Sequence, residues 1–194
     1  KKIKKLLRYH SPQEHWHVDP FRAYDTYYCL TKHFSMTVNS FFSRLLNDYQ
    51  APKTNYKSSV LDQYQSQLRK GNAYLRQIPF SDLKAFETIF SNLPDQIHIQ
   101  LANSSTVRYA QLFDMPKGAE VFSNRGTSGI DGSTATAVGA ALINQNPCLL
   151  ITGDLSFFYD INGLWNNHIP SSFRVIIINN QGGGIFRILP GEKD

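Results

Sequence analysis

The chain has 194 residues, of which 41% are hydrophobic and 18% are charged, a balance typical of globular domains rather than disordered chains. The net charge is +5, but outside Lys1–Arg8 the basic residues are dispersed, which argues against a nucleic-acid module. No run of about 18 apolar residues is present, so we expect no membrane span. Two cysteines are too few for a disulfide framework and suit a reducing cytoplasm.

The first third of the sequence predicts the tail of an α/β domain. A candidate strand at His15–Val18 is followed by an aromatic-rich loop, a helix around Val38–Leu46 and a linker at Ala51–Asn55. His15 and His17 alternate on one strand face, but neither a Cys nor a third nearby His supports a metal site there. The chain begins without Met, and we expect it to be part of a longer polypeptide.

The composition of the sequence changes after the linker. Residues 58–77 are polar and compatible with a helix, and Ser81 is a plausible N-cap for another. That second helix would bury one side, formed by Leu83, Phe86, Ile89, Phe90 and Leu93. We therefore predict two parts: residues 1–57 as the tail of a central α/β domain plus linker, and residues 58–194 as one domain, truncated at its carboxyl end.

From Asp95 onward, short apolar runs alternate with helical segments. The predicted strands are Ile97–Leu101, Ala119–Phe122, Cys148–Ile151 and Val175–Ile178. Continuous apolar strands that alternate with helices are typical of a parallel sheet buried on both faces. The sequence therefore predicts an α/β fold with helices on both faces of a parallel sheet.

Each predicted strand is followed by small or polar residues. They are Asn103, Ser104, Asn124, Arg125, Asp154 and Asn180. In a parallel sheet these positions share the carboxyl edge, where ligands bind. Turn formation and helix capping could explain any one of them, because Asn, Asp and Ser are good caps, but they explain the set less well.

Asp154 and Asn180 form the most informative pair. The interval between them fits one strand–helix–strand unit, with its crossover helix predicted near Asp160–Asn167. A carboxylate, an amide oxygen and a backbone carbonyl near Gly182 could then converge as hard ligands for Mg²⁺. The alternative for Gly182–Gly184 is a flexible turn.

The segments Gly153-Asp154-Leu155-Ser156 and Asn179-Asn180, with this spacing, resemble the fingerprint of thiamine-diphosphate enzymes. Leu155 stands where many members have Gly or Ala, which points to a subfamily. The resemblance implies that Asp154, Asn180 and the Gly182 carbonyl hold Mg²⁺ or Mn²⁺, which in turn holds the diphosphate. It also implies cofactor contacts at Ser104, Leu155 and Ser156.

Four blocks in order resemble 2-succinyl-5-enolpyruvyl-6-hydroxy-3-cyclohexene-1-carboxylate synthases more specifically. They are Asn103-Ser104-x-x-x-Arg108, the run from Ser123 to Gly132, the run from Gly153 to Asp160, and the run from Asn179 to Phe186. The blocks cover about residues 95–190. This resemblance implies the thiamine-diphosphate-binding fold for the second domain.

The resemblance also assigns roles to individual residues. Ile130 would be the bulky residue beneath the cofactor, and the Ser128 carbonyl would accept a hydrogen bond from its aminopyrimidine. Arg108 and Arg125 would pair with substrate carboxylates, for which the guanidinium fork is suited. An apolar wall would be formed by Ile185, Phe186 and Leu189. The alternatives are a helix-surface position for Arg108 and ordinary core for the apolar residues.

The implied activity belongs to menaquinone biosynthesis. Such a synthase decarboxylates 2-oxoglutarate and adds the resulting carbanion to isochorismate, as a homodimer or homotetramer. The glutamate that activates the cofactor would lie outside this chain, so we expect the isolated segment to be inactive. The alternatives are an acetolactate synthase or 2-oxoacid decarboxylase, which use the same cofactor, and a non-catalytic α/β binding module.

Overall fold

The computed structural model describes residues 2–187, and the chain divides into two compact units between Gln63 and Tyr64. Within this described part, no helix is both long and apolar enough to cross a membrane. The predicted boundary at residues 57 and 58 remains a prediction.

The first unit contains helix α1 (Lys2–Tyr9), strands β1 (Trp16–Val18) and β2 (Lys32–Phe34), and helix α2 (Val38–Asp48). The two strands pair in parallel, with Trp16 opposite Lys32. The predicted strand and the helix that follows it are confirmed. Strand β2 was not predicted, because three residues containing Lys and His carry no apolar pattern.

Helix α3 spans Tyr56–Leu75 and helix α4 spans Asp82–Ser91. The predicted cap of α4 is confirmed, since the Ser81 hydroxyl accepts a hydrogen bond from the Lys84 backbone N–H. Hydrogen bonding of the otherwise unpaired amides in the first turn stabilises a helix by about 1 kcal/mol. The predicted apolar side of α4 is the side that packs into the core.

Four parallel strands form the sheet of the second unit: β3 (His98–Leu101), β4 (Glu120–Phe122), β5 (Cys148–Gly153) and β6 (Phe173–Ile178). Their order is β4-β3-β5-β6. All three neighbouring pairs are parallel. The predicted parallel sheet is therefore confirmed, and every strand delivers its carboxyl end to one edge.

Helices cover both faces of this sheet. Strand β5 shows the alternation, since Leu149 and Ile151 join the cluster containing α4 and α5 (Ser105–Ala110), while Cys148 and Leu150 join the cluster containing α6 (Ser133–Ile143). Each fully buried Leu or Ile contributes about 1.5–3 kcal/mol. The chain thus has the predicted α/β fold, a parallel sheet with helices on both faces.

The predicted crossover helix near residues 160–167 is wrong. Helix α7 begins directly at the strand end and spans Asp154–Tyr159, and a short 3₁₀ helix follows at Ile161–Leu164. An acidic residue in the first turn is favoured by the helix dipole, which explains the early start. The helix ends at Tyr159. The carboxylate of the next residue, Asp160, accepts a hydrogen bond from the Ala135 backbone N–H at 2.8 Å.

Candidate functional site

A cleft with a cavity volume of about 80 Å³ opens at the carboxyl edge of β3, β5 and β6. The cleft is lined by Asn103, Ser104, Ser105, Thr106, Ile130, Gly153, Asp154, Leu155, Ser156, Asn180, Gly183, Gly184 and Ile185. Seven of the residues predicted from the sequence therefore meet here: Ser104, Ile130, Asp154, Leu155, Ser156, Asn180 and Ile185.

Asp154 is the ionisable group at the centre of this cleft, and its side chain is buried. Its Oδ2 accepts the Gly182 N–H at 2.7 Å, and its Oδ1 accepts the Leu155 N–H at 2.8 Å. Burial raises the pKa of this carboxyl, but the backbone hydrogen bonds outweigh that effect and hold the pKa below its ordinary value. A charged carboxylate is therefore maintained inside the cleft at neutral pH.

The chain after Asn180 folds over this carboxylate. Gln181, Gly182 and Gly183 have φ angles of +64°, +109° and +68°. Glycine adopts such angles without the steric penalty that other residues have, and successive N–H groups can then converge on one anion. Gly182 contacts Asp154 through its N–H, so ligation of a metal by the Gly182 carbonyl remains a prediction.

Asn180 is held from two sides. Its Nδ2 donates to Asp82 Oδ2 at 2.9 Å, and its Oδ1 accepts the Gly184 N–H at 3.0 Å. The amide nitrogen and the amide oxygen are therefore each assigned a distinct neighbour. Asn180 Oδ1 therefore lies beside Gly184, a residue that lines the cleft, and this oxygen can accept one further hydrogen bond or bind a cation.

The oxygen donors of Asp154 and Asn180 fit a hard cation such as Mg²⁺ or Mn²⁺. No cluster of three or more His, Cys, Asp or Glu side chains suitable for a metal occurs between residues 2 and 187. A cation here would consequently complete its coordination with backbone, water or phosphate oxygens. Mg²⁺ favours this type of site, in which protein supplies few ligands and a bound phosphate supplies others.

Asn103 organises the loop after β4. The sequence predicted this residue at the carboxyl edge but gave it no specific binding role. Its buried amide nitrogen donates to the backbone carbonyls of Asn124 and Gly129, at 2.8 and 2.6 Å. Its Oδ1 accepts from Arg125 Nη1 at 2.9 Å. One side chain thereby connects the end of β3 to the segment that carries Arg125, Ser128 and Ile130. The sequence signal was its position at a strand end.

Ser156 lines the cleft, and its side chain also makes a hydrogen bond within the protein. Its buried hydroxyl donates to the Ile130 backbone carbonyl at 2.6 Å. The predicted contact of Ser156 with the cofactor stays a prediction, whereas the observed hydrogen bond fixes the backbone of Ile130. The Ile130 side chain lines the cleft beside Leu155.

Two predicted positions show unusual backbone geometry. Ser104, directly before α5, has φ +71° and ψ −127°, and Ser128 has φ +63°. Residues other than glycine in such conformations cost about 1–3 kcal/mol each and concentrate at functional sites. The Ser104 hydroxyl makes no capping hydrogen bond to α5, although the residue lines the cleft.

Other predicted residues lie outside the cleft lining. Arg125 and Ser128 are exposed, and the Ser128 hydroxyl donates to the Arg125 carbonyl at 3.3 Å. Arg108 is an exposed residue in the last turn of α5. The side chain of Phe186 and all of Leu189 lie outside the described residues, so their predicted positions in an apolar wall remain predictions.

Comparison with known proteins identifies close relatives along the whole chain. No family model matches. Proteins named 2-succinyl-5-enolpyruvyl-6-hydroxy-3-cyclohexene-1-carboxylate synthase from Flavobacterium psychrophilum, Flavobacterium johnsoniae and Christiangramia forsetii are 53%, 51% and 53% identical over 194 residues. Each alignment covers 100% of this chain and 34–35% of the relative.

The chain thus spans about a third of the length of the curated relatives it matches. The cleft residues all fall within the aligned region, because the alignments cover every residue of the chain. Over the length compared, the chain is similar to 2-succinyl-5-enolpyruvyl-6-hydroxy-3-cyclohexene-1-carboxylate synthases, at 51–53% identity.

Proposed function

We propose that the complete native polypeptide containing this chain uses thiamine diphosphate and Mg²⁺ or Mn²⁺. It decarboxylates 2-oxoglutarate and joins the remaining four-carbon unit to isochorismate. The observation that carries this proposal is the convergence of Asp154 and Asn180 at the carboxyl edge of a parallel sheet. The names of relatives at 51–53% identity support the choice of substrates.

Asp154 and Asn180 would hold the metal through their side-chain oxygens, with the Gly182 carbonyl as the third protein ligand. The low pKa of Asp154 keeps its negative charge available for a cation. The cofactor, when bound, supplies the nucleophilic carbon that makes loss of CO₂ from a 2-oxo acid possible. Ser104 and Leu155, which line the same cleft, would contact it.

Ile130 would support the cofactor from below, and its backbone position depends on Ser156. Because the Ser156 hydroxyl donates to the Ile130 carbonyl, the residue is held from the amino-terminal turn of α7. A rigid, apolar contact of this kind helps to position reacting atoms and to exclude water. The Ser128 carbonyl would accept a hydrogen bond from the cofactor.

Arg125 would bind a substrate carboxylate. Its contact with Asn103 uses one of five guanidinium N–H donors, so a bidentate pair with a carboxylate remains possible. Arg108 would bind a second carboxylate, and Ile185 and Phe186 would form an apolar wall beside the substrate. Both proposed substrates carry two carboxylates, which requires a cationic pocket.

We also propose that the complete polypeptide forms a homodimer or homotetramer. Small residues on the exposed side of α6, including Ala135, Thr136 and Gly139, would allow close packing against a partner. The domain division remains as predicted from the sequence, with residues 58–194 forming the diphosphate-binding domain.

The experiment follows 2-oxoglutarate consumption by the complete native polypeptide with thiamine diphosphate and Mg²⁺, with and without isochorismate. We expect consumption that depends on isochorismate and that falls at least about 100-fold in Asp154→Ala, because metal-held charge stabilisation of a cofactor is lost. Glu87→Gln, an exchange on α4 away from the cleft lining, is the matched control and should retain activity.

Consumption of pyruvate in place of 2-oxoglutarate would contradict the proposed substrates and favour an acetolactate synthase or decarboxylase. Turnover that is unchanged in Asp154→Ala would contradict the proposed metal site. The absence of any turnover that depends on thiamine diphosphate would favour a non-catalytic binding module.

A further inference from the structure

We infer that Asp82 is a positioning residue that fixes the orientation of the Asn180 side-chain amide toward the metal site. The inference rests on the proposed function, because it concerns a residue proposed as a metal ligand. Asp82 does not line the cleft and would not touch the metal, the cofactor or a substrate. It lies 98 residues before Asn180 in the chain, outside all four sequence blocks that resemble the synthases.

The geometry assigns each end of the Asn180 amide. Asp82 Oδ2 accepts a hydrogen bond from Asn180 Nδ2 at 2.9 Å, while Asn180 Oδ1 accepts the Gly184 N–H at 3.0 Å. An ionised carboxylate only accepts hydrogen bonds, and a backbone N–H only donates them. The two neighbours therefore favour the same orientation of the amide.

The reverse orientation would be unfavourable at both ends. The amide oxygen would face a carboxylate oxygen at hydrogen-bond distance, and the amide NH₂ would face a backbone N–H. The reversed Asn180 amide would also direct its NH₂ hydrogen atoms, instead of its oxygen, toward a cation. Asn amides are nearly symmetric in shape, so shape alone does not select between the two orientations. The Asp82 carboxylate supplies this selection together with the Gly184 N–H.

Asp82 is itself held in place by the helix that it begins. It is the first residue of α4, directly after the Ser81 cap, and the helix is anchored in the core through Phe86 and Phe90. Burial raises the pKa of Tyr109 on α5, and the negative charge of Asp82 raises it further. The acceptor thus belongs to a packed helix rather than to a loop.

A purely structural role is the alternative, since an acidic residue in the first turn stabilises a helix by about 0.3–1 kcal/mol. That role predicts a change in stability without a change in metal affinity. Partners that orient metal ligands from behind behave differently, because their loss lowers metal affinity about 10–100-fold. Metal affinity, measured beside stability, separates the two roles.

The experiment measures Mn²⁺ binding to the complete native polypeptide in the presence of thiamine diphosphate, by titration calorimetry. Asp82→Asn keeps the shape but offers Asn180 a side chain that can either donate or accept. We expect it to weaken Mn²⁺ binding about tenfold. Glu87→Gln makes the same change of charge on the same helix and should bind Mn²⁺ like the unaltered protein. Thermal unfolding of each metal-free variant confirms that it is folded at the titration temperature.

A second variant tests orientation directly. Asn180→Asp replaces the amide with a symmetric carboxylate, which needs no orienting partner. In combination with Asp82→Asn, the new amide can donate to the new carboxylate. We therefore expect the double variant to bind Mn²⁺ more tightly than the summed free-energy changes of the two single variants predict. Additive changes would contradict the inference, because they would indicate that the side chains at positions 82 and 180 do not influence each other.

Unaltered Mn²⁺ affinity in Asp82→Asn would also overturn the inference. The Asp154→Ala variant separates this failure from failure of the proposed function. If Asp154→Ala loses Mn²⁺ binding while Asp82→Asn retains it, only the role of Asp82 is wrong. If Asp154→Ala also retains it, the proposed metal site itself is wrong.

Discussion

At the scale of single residues, two buried side chains make hydrogen bonds to the segment that carries Arg125 and Ile130. Asn103 contacts the carbonyls of Asn124 and Gly129 and the guanidinium of Arg125. Ser156 holds the Ile130 carbonyl in a comparable way. The proposed binding residues Arg125 and Ile130 are therefore held by a buried amide and a buried hydroxyl, the kind of support that precise binding sites require.

The Asn103→Ala variant tests this support. Removing the amide leaves two partly buried carbonyls without their donor, which costs about 1–3 kcal/mol of unfolding free energy. The loop that carries Arg125 should also become less ordered, so the Michaelis constant for 2-oxoglutarate should rise. Urea unfolding and steady-state kinetics of the complete native polypeptide provide the measurements.

Asn92→Ala is the matched control for this change. Asn92 is exposed, and its amide donates only to the Thr88 carbonyl within α4. Surface changes of this kind alter stability by about 0.5 kcal/mol or less. An Asn103→Ala variant no less stable than the control would show that the contacts of Asn103 do not support the loop.

The sequence predicted which residues gather at the carboxyl edge, because strand ends in a parallel sheet share that edge. Asp154, Asn180 and Ser104 were found in this way, and all three line the cleft. The individual hydrogen bonds could not be predicted. Asp82 reaches Asn180 across 98 residues of sequence, a contact that depends on the three-dimensional packing of α4.

At the scale of secondary structure, the predicted strands agree with the structure better than the predicted helix positions do. Strands β3 to β6 were visible because continuous apolar runs mark a sheet buried on both faces. The helix after β5 was placed too late, since Ile161, Leu164 and Trp165 suggested an apolar side. In the structure Trp165 is 78% exposed, and those residues belong to or follow a 3₁₀ helix.

The close approach of this 3₁₀ helix to α6 gives a prediction for Gly163. A Cβ at Gly163 would lie 2.8 Å from the Ala135 backbone nitrogen and 3.0 Å from its Cα. Backbone atoms of a packed helix cannot move aside cheaply, so Gly163→Ala should lower the unfolding free energy by about 1–3 kcal/mol. Chemical denaturation of the complete native polypeptide measures the change.

Gly71→Ala is the contrasting substitution. Gly71 lies inside α3, and among residues 2–187 no atom beyond its chain neighbours and the nearby backbone of α3 lies within 4 Å of the position a Cβ would take. Alanine stabilises a helix interior by up to about 1 kcal/mol relative to glycine. Equal losses of stability in the two variants would show that the close approach at Gly163 is not the cause.

At the scale of the whole molecule, the chain contains a parallel sheet with a cleft at its carboxyl edge. It spans about a third of the relatives it matches, at 51–53% identity. Its fold explains how a metal and a diphosphate could be held. The proposed substrates rest on the relatives and on the resemblance of the loops, because the fold alone is shared by enzymes with different chemistries.

The most direct test of the account is calorimetric titration of thiamine diphosphate into the complete native polypeptide, with Mg²⁺ and with a chelator. We predict that thiamine diphosphate binds only when the metal is present and that Asp154→Ala loses this binding, since the binding of metal and cofactor to one site is reciprocally coupled. Binding of equal strength with the chelator, or in the variant, would contradict the assignment of this cleft as the metal and diphosphate site.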